Sequence, residues 1–147
     1  MFASNHDAAY VDTVLTLSLA FGADTAVDGT VVAAITYAAA RIGTPYVWGG
    51  TGAGGFDCSG LTQASYRAAG VSLPRVAQDQ FGRGPPVPDG ATVVPGDLLF
   101  YGSGPVGVDH VGIYVGSGLM VDAPHTGAVV RVEPADLGDF VGATRPG

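Results

Sequence analysis

The order of hydrophobic patterns along the chain predicts an α+β fold, with N-terminal helices packed on a mostly antiparallel β-sheet. Three observations carry this. Apolar residues recur at helical spacing before residue 70 and in short runs after residue 96. Glycine and proline, 24 and 10 of the 147 residues, mark frequent turns. A share of 47% hydrophobic against 13% charged residues suits a chain with a core and not a disordered one. This length fits one domain and needs no disulfide framework.

Residues 1–27 read as a helical preface. Ser4, Asn5 or Asp7 can cap it, and Ala9, Val11, Val14, Leu15, Leu17 and Leu19 give a broad apolar face. Val14–Ala23 has the length of a signal h-region, but Asp7 and Asp12 stand where a basic segment belongs, so it is read as part of a mature domain. The main domain spans 28–147. A second helix starts near Asp28 or Thr30 and runs to Arg41, with Gly43 and Pro45 as the stop. The glycines between 49 and 55 make a loop. Leu61, Ala64, Ser65, Tyr66 and Ala68 suit a helix over 59–69, with Asp57 as N-cap and Gly70 as C-cap. A short helix over 74–82 carries Val76, Ala77 and Phe81, and a Pro-rich loop follows. Strands are expected at Asp97–Tyr101, His110–Val115, Leu119–Ala123, Val129–Glu133 and Phe140–Thr144.

Net charge is −7, and all six cations are arginines. Such a chain lacks the basic footprint that binds nucleic acid or anionic membranes. No apolar run reaches transmembrane length, so no membrane insertion is expected. One cysteine excludes an internal disulfide and a multi-cysteine zinc site, and His6, His110 and His125 show no metal-binding spacing. No metal or organic cofactor is expected, and the chain is read as a monomer.

The candidate chemistry centres on Cys58. A thiol in the first turn of a helix meets unpaired N–H groups and the positive dipole end, a setting that favours a nucleophile and can hold an oxyanion. A nucleophilic cysteine wants an imidazole partner, and His110 opens an apolar strand. The base needs an orienting acceptor, for which Asp122 and Asp109 are candidates. A three-residue Gly116-Ser117-Gly118 loop puts Asp122 diagonally beside His110 on one face. A two-residue Ser117-Gly118 loop turns Asp122 away and sets His125 opposite His110, unless a bulge intervenes.

Five ordered segments then carry a resemblance: Gly43-Thr-Pro-Tyr-Val-Trp-Gly-Gly50, Gly55-Phe-Asp-Cys-Ser-Gly-Leu61, Leu73-Pro-Arg75, Pro95-Gly-Asp-Leu98 and His110-Val-Gly-Ile-Tyr114. Over about residues 30–145 the chain resembles the NlpC family of papain-like bacterial cysteine peptidases, which cut peptidoglycan stem peptides. The blocks look most like actinobacterial cell-wall hydrolases of the Rip type. The resemblance implies a papain-like fold, Cys58 as nucleophile, His110 as base and Asp122 as third polar residue. That third position is more often His, Glu, Gln or Asn, so Asp122 is a departure. It further implies Tyr46 as a groove tyrosine beside the thiol that helps with the oxyanion, and Asp57 and Ser59 as groove residues that hold the amine end of the stem peptide. Trp48 is expected to pack rather than to touch substrate. Val76-Ala77 replaces the Ser or Thr usual after the Leu-Pro-Arg segment. The implied reaction is hydrolysis at the γ-D-glutamyl–meso-diaminopimelate bond by a secreted or cell-wall-associated enzyme. The alternatives are a peptidoglycan-binding module with little turnover, or an amidase or acyltransferase of the same fold.

Overall fold

The computed structural model describes residues 29–52 and 54–146. The expected helical preface over 1–27, with His6, lies outside the described residues. Among the described residues the helices are α1 (Gly29–Ala40), α2 (Cys58–Ala68) and α3 (Ala77–Arg83). The strands are β1 (Thr51–Gly52), β2 (Gly55–Phe56), β3 (Leu98–Gly102), β4 (Val108–Gly116), β5 (Leu119–Asp122), β6 (Arg131–Pro134) and β7 (Phe140–Thr144). β1 and β2 form a small ribbon inside the expected glycine loop. The rest make one antiparallel sheet in the order β6-β5-β4-β3-β7. This is the α+β architecture expected from the patterns, with boundaries moved by up to three residues. No helix among the described residues is long and apolar enough to cross a membrane.

Strand alternation divides the core. Leu98, Phe100, Val111, Ile113, Val115 and Val121 pack with Ile35 of α1 and with Leu61 and Tyr66 of α2. Leu99, Tyr101, Met120 and Ala143 form a second cluster with Val87, Val93, Tyr114 and Leu137. α2 ends as a Schellman motif: the Val71 N–H donates to Tyr66 O (2.9 Å) and the Gly70 N–H to Arg67 O (3.0 Å). α3 carries Ala77 into the core and Phe81 against it, but Val76 stays 48% exposed. It occupies the N-cap position, where the chain is still extended and has not yet turned inward.

Two bulges set the geometry that matters for chemistry. At the β4–β5 hairpin Gly116 pairs with Leu119, so the loop is the two-residue Ser117-Gly118 turn. Both residues have positive φ (56° and 75°), as a type I′ turn requires. One step on, the register slips: Tyr114 pairs with Met120 and Ile113 with Val121. The extra residue, Val115, restores the facing that a two-residue loop alone would reverse. At the other end of β4, Tyr101 pairs with His110 but Gly102 pairs with Val108, leaving Asp109 as a bulge beside the histidine.

Candidate active site

Asp57 begins the site. Its extended backbone precedes α2, and its Oδ1 accepts the Gly60 N–H (2.7 Å) as an N-cap should. The same carboxylate accepts the Gly49 N–H (3.2 Å) and a bidentate pair from Arg75, Nη1 to Oδ1 at 3.0 Å and Nη2 to Oδ2 at 2.8 Å. Arg75 Nη1 also donates to Ser59 Oγ (3.0 Å). One charge thus ties the glycine loop, the start of α2 and the Leu-Pro-Arg segment together. The hydrogen bond and charge of Asp57 outweigh desolvation and raise the Arg75 pKa further. Sequence reasoning quoted Arg75 in a motif but gave it no part. Its signal was the Leu73-Pro-Arg75 segment itself; the partner stands 18 residues away.

The first turn of α2 is braced from below. Gln80 of α3, 1% exposed, donates through Nε2 to Ser59 O (3.1 Å) and Pro74 O (2.9 Å), and its Oε1 accepts from the Thr62 hydroxyl (2.7 Å). Gly60 is required by close approach: a Cβ there would lie 1.9 Å from Gly50 O. With the Gly60 and Leu61 N–H groups bonded to Asp57, those of Cys58 and Ser59 have no preceding helical carbonyl to reach.

Cys58 is half-buried and lines an open groove of about 520 Å³ with Tyr46, Trp48, Asp57, Ser59 and Val76. The Tyr46 hydroxyl is held above its ordinary pKa, first by burial, then by the charges of Cys58 and Asp57 against Arg75, so it remains a neutral donor. Trp48 is 86% exposed on the groove rim. This corrects the expectation that it packs inward: Phe56, fully buried and paired to the same segment, already occupies the interior there.

His110 sits at the bulged end of β4, against the Tyr101 ring (centroids 5.8 Å apart). Its Nε2 lies 2.8 Å from Asp122 Oδ2, and its ring is close enough to the Cys58 sulfur for the two to interact. With Nε2 committed to the carboxylate, Nδ1 is left for the sulfur. Burial of the ring lowers its pKa, but the hydrogen bond to Asp122, the nearby Cys58 sulfur and the charges of both push it up to about 10. Asp122 is fully buried. Gly112 stands directly across from it, and a Cβ there would meet Met120 Sδ at 2.6 Å and Asp122 Cβ at 3.2 Å. The competing candidates fall away: Asp109 is exposed on the bulge, and His125 is exposed with its Nδ1 on Thr126 O.

Glu133, on the neighbouring β6, was not singled out from the sequence. One ligand atom each from His110, Asp122 and Glu133 lies within 4.8 Å of the others. The 2.8 Å imidazole–carboxylate contact has the length of a charge-assisted hydrogen bond, and Glu133 lies beside that pair.

A nucleophile lining the groove, an imidazole beside it and a buried acceptor on that imidazole form an arrangement suited to acyl transfer. The model of the NlpC/P60 family matches residues 43–140. The chain is 43% identical over 108 residues to the gamma-D-glutamyl-L-lysine dipeptidyl-peptidase of Bacillus subtilis, covering 71% of this chain and 36% of that protein. It is 42% identical over 107 residues to the peptidoglycan endopeptidase RipA of Mycobacterium tuberculosis, covering 64% of this chain and 22% of the relative. The chain therefore spans only about a quarter to a third of these relatives' length. Among solved structures, the P60 domain of antigen MAP1204 from M. avium subspecies paratuberculosis superposes with TM-score 0.70 at 33% identity, over 79% of this chain and 93% of that one. A structure of RipA gives TM-score 0.72 at 34% identity, over 80% and 62%. With the family model matching two thirds of its length and solved members of that family superposing on it, the chain belongs to the NlpC/P60 family.

Proposed function

We propose that this chain is a cysteine endopeptidase of peptidoglycan stem peptides, with 28–147 as its catalytic unit. The observation that carries the reading is His110, held at 2.8 Å by the buried Asp122 carboxylate and close to Cys58, which lines an open groove. In the proposed reaction the Cys58 thiolate attacks the γ-carbonyl carbon of D-glutamate. The resulting oxyanion is met by the first-turn N–H groups of α2 and the Tyr46 hydroxyl. The C–N bond breaks as imidazolium His110 gives its proton to the departing amine of meso-diaminopimelate. Water then attacks the thioester, passing a proton to His110, and the free acid and the thiolate–imidazolium pair return. Asp122 orients the ring and stabilises its charged form.

Support for a γ-D-glutamyl bond comes from the resemblance and from the name of the Bacillus relative. Support for a peptidoglycan substrate, and so for a place outside the cell or at its wall, comes from RipA. Ser59 and Asp57 lie on the groove wall where the amine end of a stem peptide would sit. Asp57 contributes there mainly by holding Arg75 and α2, because both its oxygens already accept hydrogen bonds.

Purified sacculi incubated with the chain and with Cys58→Ala, followed by mass spectrometry, test the proposal. Peptides ending in D-glutamate that appear only with Cys58 are expected. Products that persist with Cys58→Ala, or binding without any product, overturn it.

A further inference from the structure

The third member of the site poses an electrostatic problem. Asp122 is fully buried; its Oδ2 takes the His110 hydrogen bond, but its Oδ1 is sealed from solvent without a donor among the described residues. An unsatisfied carboxylate oxygen in a dry site is destabilising. The β5–β6 register pairs Met120 with Glu133 and Asp122 with Arg131. Glu133 is therefore the diagonal neighbour of Asp122 on the same sheet face. Its side chain is mostly covered (17% exposed), and its carboxyl lies within 4.8 Å of both Asp122 and His110.

We propose that Glu133 is a positioning residue of the active site: its neutral carboxyl donates an O–H hydrogen bond to Asp122 Oδ1, fixing the carboxylate that orients His110. No bond in the substrate is touched by Glu133; it acts through Asp122. The inference rests on the reading of Cys58, His110 and Asp122 as the catalytic set. The groups facing Glu133 are Asp122 from β5, His110 from β4, Tyr101 from β3, and Arg131 from its own strand, whose Nη2 is 3.6 Å from Oε1. Burial first, then the neighbouring Asp122 carboxylate, push Glu133 up to about 7, while Arg131 and His110 pull the other way. The donor is thus present in mildly acidic solution and lost as the pH rises through neutrality. Two facing carboxylates then repel, and Asp122 is no longer clamped.

The test compares the chain with Glu133→Gln, which keeps a donor at every pH, and Glu133→Ala, which has none. Two rates are followed from about pH 5 to 9.5: muropeptide hydrolysis, and alkylation of Cys58 by iodoacetamide, which needs no substrate. Cys58→Ala is the blank, and near-ultraviolet circular dichroism checks folding. At about pH 6 the unchanged chain and Glu133→Gln should agree within about twofold in both rates, with Glu133→Ala roughly tenfold lower. Above about pH 8 Glu133→Gln should exceed the unchanged chain several-fold. The proposal is overturned if Glu133→Ala matches the unchanged chain at pH 6, if Glu133→Gln is as impaired as Glu133→Ala, or if Glu133→Gln follows the unchanged chain throughout. Should hydrolysis be absent, or survive Cys58→Ala, the peptidase reading fails, and the alkylation rates still decide the part played by Glu133.

Discussion

At His110 two opposed effects meet: desolvation favours a neutral ring, and Asp122 with Cys58 favours a charged one. The charged form prevails well into alkaline solution, as the proposed proton donor requires. Asp122→Asn removes the charge while keeping the shape. It should lower kcat by a hundredfold or more, on the order of what other triads lose by the same change, with little change in KM. Steady-state kinetics on a soluble muropeptide checks this. Arg75→Ala should act differently. It strips three hydrogen bonds from Asp57 and Ser59 and should destabilise the chain by about 1.5–3 kcal/mol, read by urea unfolding. Arg75→Lys should recover little of this, because an ammonium cannot span both carboxylate oxygens. Cys58 and His110 were legible in the sequence because helix-start and strand-start signals frame them. Arg75 and Glu133 were not. Their importance comes from partners on other elements, and no local pattern announces that an arginine or a glutamate will face a particular aspartate.

Among the elements, the β4–β5 hairpin decides the most. A two-residue turn alone would have pointed Asp122 away from His110, and the Val115 bulge reverses that. The sequence could state both registers but could not choose, since a bulge leaves no fixed mark in a Val-Gly-Ser-Gly stretch. The turn itself is improvable. Ser117 holds φ 56°, a left-handed conformation that asparagine adopts more readily. Ser117→Asn should therefore stabilise by up to about 1 kcal/mol, seen as a rise of about 2–4 °C in Tm with unchanged kcat. Gly112→Ala should do the reverse on both counts. Its Cβ would meet Met120 Sδ at 2.6 Å and press on Asp122 Cβ at 3.2 Å, so these side chains must give way, at about 1–3 kcal/mol and with a loss of turnover out of proportion to stability. The helices were easier to read: Asp57 and the Gly70 stop frame α2 to within a residue. The expectation that Trp48 packs fails for a tertiary reason: Phe56 already fills the interior there.

For the molecule as a whole, the site makes stability depend on pH. The folded His110 has a pKa of about 10 against 6.5 for a free imidazole. Its contribution is fully present below about 6.5 and is lost as the pH rises through 10. Glu133 is also raised, to about 7 from 4.5, so its contribution is present below 4.5 and lost as the pH rises through 7. Both therefore act in one direction, favouring the folded state on the acid side of neutrality. Thermal unfolding from about pH 5 to 10 should show a falling Tm, with Glu133→Gln flattening the lower part of the decline and His110→Gln the upper part. The fold places this arrangement where a peptide can reach it: α2 supplies the sulfur, β4 the ring and β5 the acid, and the glycine loop held by Asp57 leaves the groove open.

The most direct measurement is the titration of the His110 ring by nitrogen NMR. The account predicts that both ring nitrogens stay protonated until close to pH 10, and that Asp122→Asn combined with Cys58→Ala returns the midpoint toward 6.5. A midpoint already near 6.5 in the unchanged chain, or one indifferent to those two substitutions, would contradict it.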